Sequence, residues 1–498
     1  MKFRYLSMAL LAAAVATPVV SQEVEQSNNE WFQAGQERIK TELAKQTNTN
    51  TAKNVILMIA DGNGVGTNYA TRLFMGQQEG GFGDEYVLPY ENFPHLALSK
   101  VYNVNAQTPD SAGTGTAMMG GVKTKAGIIG VTEDVDRGDC STLPGNEVTA
   151  ISEILHDMGK SIGFVTTARV THATPASTYA KTVDRNFEDD SQLPADCDTQ
   201  TDIASQLLNG MESGFIQVAM GGGARHFVPE DEELLVGGTG RRTDERNLID
   251  EATDLGAYHA YDNASFADAP TDGTPLLGLF ESSHMMYSAD RFDEPSIADM
   301  AEAAVKSLAN DEDGFFLQVE SGRVDHANHA GNLARVVHDG AAFAEAVERV
   351  VDMVDLSETL VIVTADHEHA LAFNGYCGRG SDILGLCMGI DGNGVEHTGE
   401  ANLGSDGKPY TVAGYLNGPG SVLIEQADGT YSGSRPDVTE EQATDIDYIQ
   451  QALVPRSSET HAGPDVAIYA NGPWSYLVDG TMEQNVVFHV MHHAVNPY

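Results

Sequence analysis

Basic residues are scarce in this chain of 498 residues: 28 lysines and arginines stand against 73 aspartates and glutamates, a formal net charge of −45. Such an acidic excess repels polyanions, which argues against nucleic acid and anionic membrane surfaces as partners. The acidic residues are spread along the chain, a pattern typical of a solvated acidic surface. Because salt screens the repulsion between surface carboxylates, we expect the protein to tolerate molar salt.

Long apolar runs are missing after the first 21 residues, so the sequence predicts no membrane-spanning helix. The amino-terminal run MKFRYLSMALLAAAVATPVVSQ has a basic start at Lys2 and Arg4, a short apolar stretch and small residues near Ser21. This pattern is typical of a secretory signal peptide, so we expect residues 1–21 to be a leader and the mature protein to be periplasmic or extracellular. Removal of Lys2 and Arg4 with the leader changes the charge to −47.

Cysteine is also rare, with only Cys140, Cys197, Cys377 and Cys387 in the chain. Their spacing excludes the common patterns of a structural zinc site. An even number of cysteines in an exported protein favours two disulfides over four buried thiols. Three pairings are open, and the short separation of Cys377 and Cys387 favours that pair and leaves Cys140 with Cys197.

Short apolar runs typical of buried strands alternate with helical patterns. The runs lie at 54–60, 161–167, 214–220, 314–320, 359–365 and 465–470, and helical patterns lie at 297–308 and 334–354. Continuous apolar strands are typical of a sheet covered by helices on both faces. The sequence therefore predicts an α/β fold, a three-layer sandwich around a large, mostly parallel central sheet.

Two stretches lack this periodicity. From about 371 to 458 the chain is rich in Gly, Asp and Asn, which predicts a loop-rich subdomain inserted in a single domain of residues 22–498. A second irregular stretch lies near 222–278.

Polar residues follow four of the predicted strands, where open α/β sheets bind their ligands. They are Asp61 after the first strand, His172 and Thr174 after the second, Glu320, Asp325 and His329 after the fourth, and Asp366 and His367 after the fifth. Asp325 and His329 are four residues apart, so a helical turn places both on one face, where they can hold one metal ion. Asp366 and His367 are adjacent and diverge, so they can serve two neighbouring ions.

Ser111 lies in the segment TPDSAGTGTA, between an acidic residue and several small ones. The segment contains no base that would activate the hydroxyl. A zinc ion beside Ser111 would do so, as zinc lowers the pKa of bound water. Gly113 and Gly115 would let the backbone approach an anion, and a helix beginning at Ser111 would direct its amides at that anion. A small-residue helix packed against the sheet is the alternative.

Taken together, the motifs resemble those of the alkaline phosphatase family. They are TAKNVILMIADGNGVG, TPDSAGTGTA, GNEVTAI, TTARVTHATPASTYAKTVDRNF, MGGGAR, VESGRVDHANHAGN, TADHEHALAFNGY and ETHAGPDVAIYANGP, and they span nearly all of the chain after the leader. His172 and His326 are similar to the branch that contains the animal enzymes, whereas the enterobacterial branch has Asp and Lys there. Asn63 stands where the family usually has Met.

The resemblance implies hydrolysis of small phosphate monoesters at a site with two Zn²⁺ ions and one Mg²⁺ ion. Ser111 would form a phosphoseryl intermediate, and Arg185 would clamp two phosphate oxygens. The implied ligands are Asp325, His329 and His461 for one zinc, Asp61, Asp366, His367 and the Ser111 oxygen for the other, and Asp61, Thr174 and Glu320 for magnesium. His172 and His326 would lie just outside and reach phosphate or metal through water. Without the family motif, the choice between Arg169 and Arg185 as the clamp is even.

The resemblance further implies a homodimer, since residues 29–46 are similar to the family's amino-terminal helix that embraces a partner subunit. It suggests a calcium site near Glu281 and Glu294, whereas the acidic loop at 390–400 lacks EF-hand spacing and is expected to be solvated. The alternatives are a sulfatase or phosphodiesterase of the same superfamily and, from another class, a non-catalytic scavenger of metal and phosphate.

Overall fold

The structure is a computed structural model and describes residues 24–392 and 398–497. The expected leader, residues 1–21, and Asn393 of the acidic loop lie outside the described residues. The chain divides into two units, residues 1–46 and 47–498. In the first unit, helix α1 (Glu30–Ala44) is the helix predicted at 29–46, and its first amides are capped by the Asn29 side chain.

The second unit contains the remaining helices. They are α2 (Val65–Gln78), α3 (Ser111–Gly120), α4 (Ile151–Asp157), α5 (Ala173–Ala176), α6 (Ile203–Glu212), α7 (Leu248–Asp254), α8 (Asn263–Ala267), α9 (Ile297–Leu308), α10 (Arg323–His329), α11 (Leu333–Met353), α12 (Glu440–Ala443) and α13 (Val486–Val495). Within the described residues, every helix is too short or too polar to cross a bilayer.

The strands all belong to this unit as well. They are β1 (Asn54–Ala60), β2 (His95–Lys100), β3 (Ser161–Arg169), β4 (Val218–Gly222), β5 (Tyr258–Ala260), β6 (Leu276–Leu279), β7 (Phe315–Ser321), β8 (Thr359–Thr364), β9 (Glu368–His369), β10 (Leu371–Phe373), β11 (Ala413–Gly418), β12 (Ile424–Glu425), β13 (Tyr431–Ser432), β14 (Ala452–Pro455), β15 (His461–Ala462), β16 (Val466–Asn471) and β17 (Gly480–Glu483).

Ten strands form the central sheet, in the order β17-β2-β16-β8-β1-β7-β3-β4-β6-β5. Only β16 runs antiparallel to its neighbours among them. The predicted large, mostly parallel sheet is confirmed. The run predicted at 214–220 enters the sheet only at Val218, because Gly214 has a φ of +74° and the Ile216 amide donates to the Gly210 carbonyl in a turn after α6.

The sheet is the middle of three layers. In β1, Val55, Leu57 and Ile59 pack with residues of α4, α6 and α13, whereas Ile56 and Met58 pack with residues of α9 and α11. These five side chains are fully buried. A strand buried on both faces has no polar side to mark its period, which explains the continuous apolar run in the sequence.

The segment 371–458 contains two small sheets, β10-β11-β14 and the hairpin β12-β13. Several of its large apolar side chains are more than half exposed: Leu403, Leu416, Ile424, Leu453 and Val454. The predicted disulfides are confirmed, with Cys377 bonded to Cys387 in this segment and Cys140 bonded to Cys197 in a separate small apolar cluster with Val183 and Phe187.

Candidate metal centre and active site

Four predicted strands are neighbours in the order β8, β1, β7, β3, and all four are parallel. Their carboxyl ends therefore meet at one edge of the sheet. The structure brings the polar residues that follow these strands together at this edge, in three groups of side chains whose ligand atoms lie within 4.8 Å of one another.

The first group contains Asp325 and His329 of α10 and His461 of β15. Nε2 of His329 and Nε2 of His461 are 3.0 Å apart, and Oδ1 of Asp325 lies 3.4 and 3.3 Å from these two nitrogens. Ligands of one tetrahedral zinc ion are separated by ~3.3 Å when they lie about 2.0–2.1 Å from the metal. The three atoms therefore have the spacing of ligands that share one ion.

His461 reaches this group through a local pairing. β15 pairs with β9 antiparallel, so that His461 lies opposite His369. Its Nδ1 lies 2.9 Å from the Pro109 carbonyl oxygen, a backbone contact that fixes the ring orientation.

His369 also belongs to this group, and sequence reasoning missed it although it lies in the motif TADHEH. Its Nε2 is 2.7 Å from Oδ1 of Asp325, and its Nδ1 is 2.5 Å from Oε2 of Glu459. Burial lowers the pKa of His369, but these two carboxylates raise it to about 9. His369 therefore donates to both and holds Asp325 in place. The sequence feature that could have indicated His369 is its position two residues after His367, on the same side of an extended segment.

The second group contains Asp61, Asp366 and His367, which are fully buried. Nε2 of His367 lies 3.2 Å from Oδ1 of Asp61 and 3.3 Å from Oδ2 of Asp366. Oγ of Ser111 lies 3.2 Å from the same nitrogen and 3.4 Å from Oδ2 of Asp61. The serine oxygen thus completes a set of four donor atoms with similar spacing.

The third group joins Asp61 and Glu320 with His172. The hydroxyl of Thr174 lies beside Glu320, and its oxygen is buried without a hydrogen-bond partner among the described residues, as is Oε1 of Glu320. The implied magnesium ligands are therefore together. His172 lies within this group, whereas from the sequence we expect it just outside the metal ligands.

Carboxylates crowd this edge of the sheet. Burial raises the pKa of Asp61 well above its usual value, and the neighbouring Asp366, Asp325 and Glu320 raise it further. Burial and the charge of Asp366 also raise the pKa of Glu320, to about 7. Buried carboxylates so close together are stable as anions only beside cations, which points to metal ions.

Ser111 is the first residue of α3, and the Asp110 side chain caps this helix by accepting from the Gly113 amide. The predicted helix start is therefore correct. A Cβ on Gly113 would collide with the Asn103 side chain, and one on Gly115 would lie 3.0 Å from Ser177. These two glycines therefore allow α3 to pack closely against its neighbours, which is the alternative stated in the sequence analysis. Ser111 itself lies beside the metal ligands Asp61 and His367.

The structure separates the two candidate arginines. Arg185 donates to Oδ2 of Asp110 at 3.0 Å, and its other terminal nitrogen lies 3.0 Å from Nε2 of His172. Arg169 instead makes two 2.7 Å contacts with the carboxylate of Glu188. Only Arg185 lies beside the acidic residue that caps the Ser111 helix.

His172 and His326 lie at this edge, with ring centroids 5.6 Å apart. Nδ1 of His326 lies 3.2 Å from a terminal nitrogen of Arg323. Burial and the charge of Arg185 lower the pKa of His172 well below its usual value, which favours a neutral imidazole.

Two further expectations concern nearby residues. The amide of Asn63 donates to the side-chain oxygen of Asn68, which also accepts from the Tyr90 hydroxyl, so a buried polar network accommodates Asn63. In the suggested calcium region, Oε1 of Glu294 accepts from Arg291, whose cation occupies the space beside this carboxylate. Glu281 and Glu294 are in none of the candidate metal groups of the described chain.

Comparisons with known proteins agree with this geometry. The family described as alkaline phosphatase matches residues 52–496. The alkaline phosphatase of Gadus morhua is 40% identical over 479 residues, covering 93% of this chain and 96% of that protein. The tissue-nonspecific alkaline phosphatase of Rattus norvegicus is 38% identical over 488 residues, covering 95% of this chain and 89% of that protein.

Solved structures show the same fold. The alkaline phosphatase of Thermus thermophilus superposes with a TM-score of 0.64 at 24% identity, covering 91% of this chain and 93% of that one. The cold-active alkaline phosphatase of a Shewanella species gives 0.61 at 20% identity, covering 89% and 99%. The chain therefore belongs to the alkaline phosphatase family and is a metal-dependent hydrolase of phosphate monoesters.

Proposed function

We propose that the enzyme transfers the phosphoryl group of its substrate to Ser111 and then to water. The observation that carries this proposal is the position of the Ser111 oxygen, 3.2 Å from Nε2 of His367 and 3.4 Å from Oδ2 of Asp61. The neighbouring imidazole and carboxylate both belong to a candidate metal group, so the serine has the surroundings of a hydroxyl that a metal ion activates.

The donor sets fit two zinc ions and one magnesium ion. The sets Asp325-His329-His461 and Asp61-Asp366-His367-Ser111 mix imidazole nitrogen with oxygen, as zinc prefers. The set Asp61-Thr174-Glu320 offers only oxygen, as magnesium prefers. The unpartnered oxygens of Thr174 and Glu320 support this assignment, because a buried oxygen without a partner is costly.

When bound, the zinc ions would lower the pKa of the Ser111 hydroxyl and stabilise the attacking and leaving oxygens. In the first step, Ser111 gives its proton to solvent and attacks phosphorus in line, the bond from phosphorus to the ester oxygen breaks, and that oxygen takes a proton from solvent to leave as the alcohol. In the second step, a water molecule gives a proton to solvent and attacks the phosphoserine in line, the bond from phosphorus to Oγ breaks, Oγ takes a proton from solvent, and inorganic phosphate is released. Each step inverts the configuration at phosphorus.

Arg185 would bind the phosphoryl group. Its guanidinium is anchored by Asp110, and burial, which alone would lower its pKa, is outweighed by this carboxylate. A guanidinium fixed in this way can bind two phosphate oxygens. His172 and His326 would contact phosphate or metal through water, which their position at the same edge supports.

The proposal is tested with p-nitrophenyl phosphate at alkaline pH, with and without chelator, and by trapping labelled phosphate on the protein with acid. We expect hydrolysis that chelator abolishes and that zinc and magnesium restore, together with label on the peptide that contains Ser111. Hydrolysis of a sulfate ester or a diester in preference to p-nitrophenyl phosphate would contradict the proposal. Metal analysis by anomalous scattering would identify each ion.

We further propose an exported homodimer, with residues 22–498 as one domain that carries an inserted subdomain at about 371–458. The two disulfides support export, since such bonds persist in oxidising compartments. In α1, Trp31, Ile39 and Leu43 are 75%, 60% and 81% exposed, an apolar face that association with a partner subunit would cover. Sedimentation that shows only a monomer at micromolar concentration would contradict the dimer.

A further inference from the structure

Arg169 is nearly buried and is the last residue of β3, just before His172 and Thr174, yet the proposed mechanism does not use it. Its guanidinium is held by the two oxygens of Glu188, with side-chain exposures of 13% and 8% for the two residues. Glu188 also accepts from the Thr171 hydroxyl at 2.6 Å and lies 3.3 Å from Nε2 of His226. Donors from Arg169 and Thr171 on one nearly buried carboxylate make this ion pair a fixed point next to the active site.

The remaining terminal nitrogen of Arg169 contacts Nε2 of His284. The Arg169 backbone amide is a second neighbour of this ring, 3.3 Å from Nδ1. The ring of His284 in turn lies against that of His326, with centroids 4.0 Å apart, and meets the ring of His172 edge-on at 5.4 Å. A continuous chain of contacts thus runs from the Glu188 carboxylate to the two imidazoles that face the proposed phosphate site.

The glycines of the motif MGGGAR bring His284 to this position. A Cβ on Gly222 would collide with the Ser283 carbonyl oxygen, and one on Gly223, which has a φ of +100°, would lie 3.0 Å from Cβ of Arg169. The Gly223 amide donates to the Glu281 carbonyl, which fixes the start of the same segment. Only glycine at both positions allows the backbone around His284 to pack beside Arg169.

We infer that His284 is a positioning residue, which transmits the fixed geometry of the Glu188–Arg169 ion pair to His326 and thereby sets its orientation toward bound phosphate. This inference rests on the proposed function, in which His326 contacts phosphate through water. Without His284, the His326 ring has free space on one face and loses the constraint that aims it. The contacts that bring Asp325, His329 and His461 together do not include His284, so we expect zinc binding to survive its removal.

The experiment compares His284→Ala with wild-type enzyme and with His259→Ala, a histidine of β5 at the far end of the sheet. The measurements are the dissociation constant for inorganic phosphate by calorimetry, kcat and KM for p-nitrophenyl phosphate, zinc content and Tm. For His284→Ala we expect phosphate affinity to fall about two- to tenfold, the range of one neutral hydrogen bond, with KM rising in parallel. Zinc content should stay at the wild-type value, and His259→Ala should match wild type in phosphate affinity, kcat, KM and zinc content.

A double-mutant cycle with His326→Ala distinguishes positioning from a general structural effect. If His284 acts through His326, its substitution should change phosphate affinity less than twofold, about the margin of additive behaviour, when His326 is already alanine. An equal effect in both backgrounds, unchanged phosphate affinity in a folded His284→Ala, or loss of zinc with it would each overturn the inference. If His284→Ala does not fold, His284→Gln takes its place under the same criteria. A wild-type enzyme that neither hydrolyses the ester nor binds phosphate would instead contradict the proposed function.

Discussion

The carboxyl edge of the central sheet and the segment 371–458 are built in opposite ways. The edge rests on strands buried on both faces, and its carboxylates and Ser111 are buried close to half-buried histidines. The segment 371–458 has short strands, a disulfide and apolar side chains such as Leu416 and Leu453 that remain exposed. The difference teaches that precise chemistry requires side chains fixed by a rigid scaffold, whereas an exposed insertion is suited to contacts with other molecules.

Ser111 gives the largest expected effect and tests whether the chemistry lies at the sheet edge. Ser111→Ala should lower kcat by more than about 10⁴-fold, since the nucleophile of a covalent mechanism has no substitute. Its Tm should match that of the control Ser141→Ala, a surface serine. Phosphate label trapped on the alanine variant at the wild-type level would place the nucleophile elsewhere.

His461 sharpens the comparison because it follows the insertion and yet lies in the first ligand group. His461→Ala should lower zinc content and activity together, with activity falling by more than the about 10- to 100-fold typical of losing a residue that only supports a ligand, and with partial recovery in excess zinc. The exposed His489 of α13 supplies the control, His489→Ala, which should keep its zinc. Full zinc occupancy in His461→Ala would break the ligand assignment.

Substitution of Arg185 and Arg169 compares how much each arginine at the sheet edge contributes to phosphate binding. Arg185→Ala should weaken phosphate binding by about 1.5–3 kcal/mol, the value of a charge-assisted hydrogen bond. Arg169→Ala should have a smaller effect, about that of His284→Ala, because its guanidinium contacts Glu188 and His284 and acts on phosphate only through them. Inhibition constants for inorganic phosphate measure both, and the reverse order would show that Arg169 is the clamp.

The two disulfides compare the regions directly. Cys140–Cys197 closes a loop of 57 residues outside the insertion, and Cys377–Cys387 closes one of 10 residues within it. Chain-entropy estimates give about 4 and about 3 kcal/mol for loops of these lengths. The free energy of unfolding, measured with denaturant, should therefore fall more in the double variant Cys140→Ser/Cys197→Ser than in Cys377→Ser/Cys387→Ser. A lower kcat in Cys377→Ser/Cys387→Ser would contradict the view that the insertion does not fix the active-site residues.

The smallest effect concerns the acidic surface that both regions share. Added sodium chloride from about 0.05 to 2 M should raise Tm, because the Debye length becomes shorter than the spacing of surface charges. KM should rise somewhat over the same range, as salt screens Arg185 from phosphate. A flat or falling Tm at fixed zinc and magnesium would contradict salt adaptation and leave the site assignments untouched.

The sequence alone determined the strands with continuous apolar runs, the start of α3 at Ser111 and the polar residues after β1, β3, β7 and β8. Local patterns carry this information because burial, capping and parallel strand order act within short segments. Four strands of the central sheet, β2, β5, β6 and β17, were not predicted, and β5 and most of β6 lie in the stretch 222–278 that was expected to be irregular. β5, β6 and β17 have only three or four residues each, too few to show a clear period.

Only the tertiary structure decided which distant residues meet. The approach of His461 to Asp325 depends on the pairing of β15 with β9, the role of His369 depends on Glu459, and the use of Arg169 depends on His284. Each contact joins segments separated by tens to more than a hundred residues. No local preference specifies such a contact, because its geometry follows from how the strands and loops pack around the sheet.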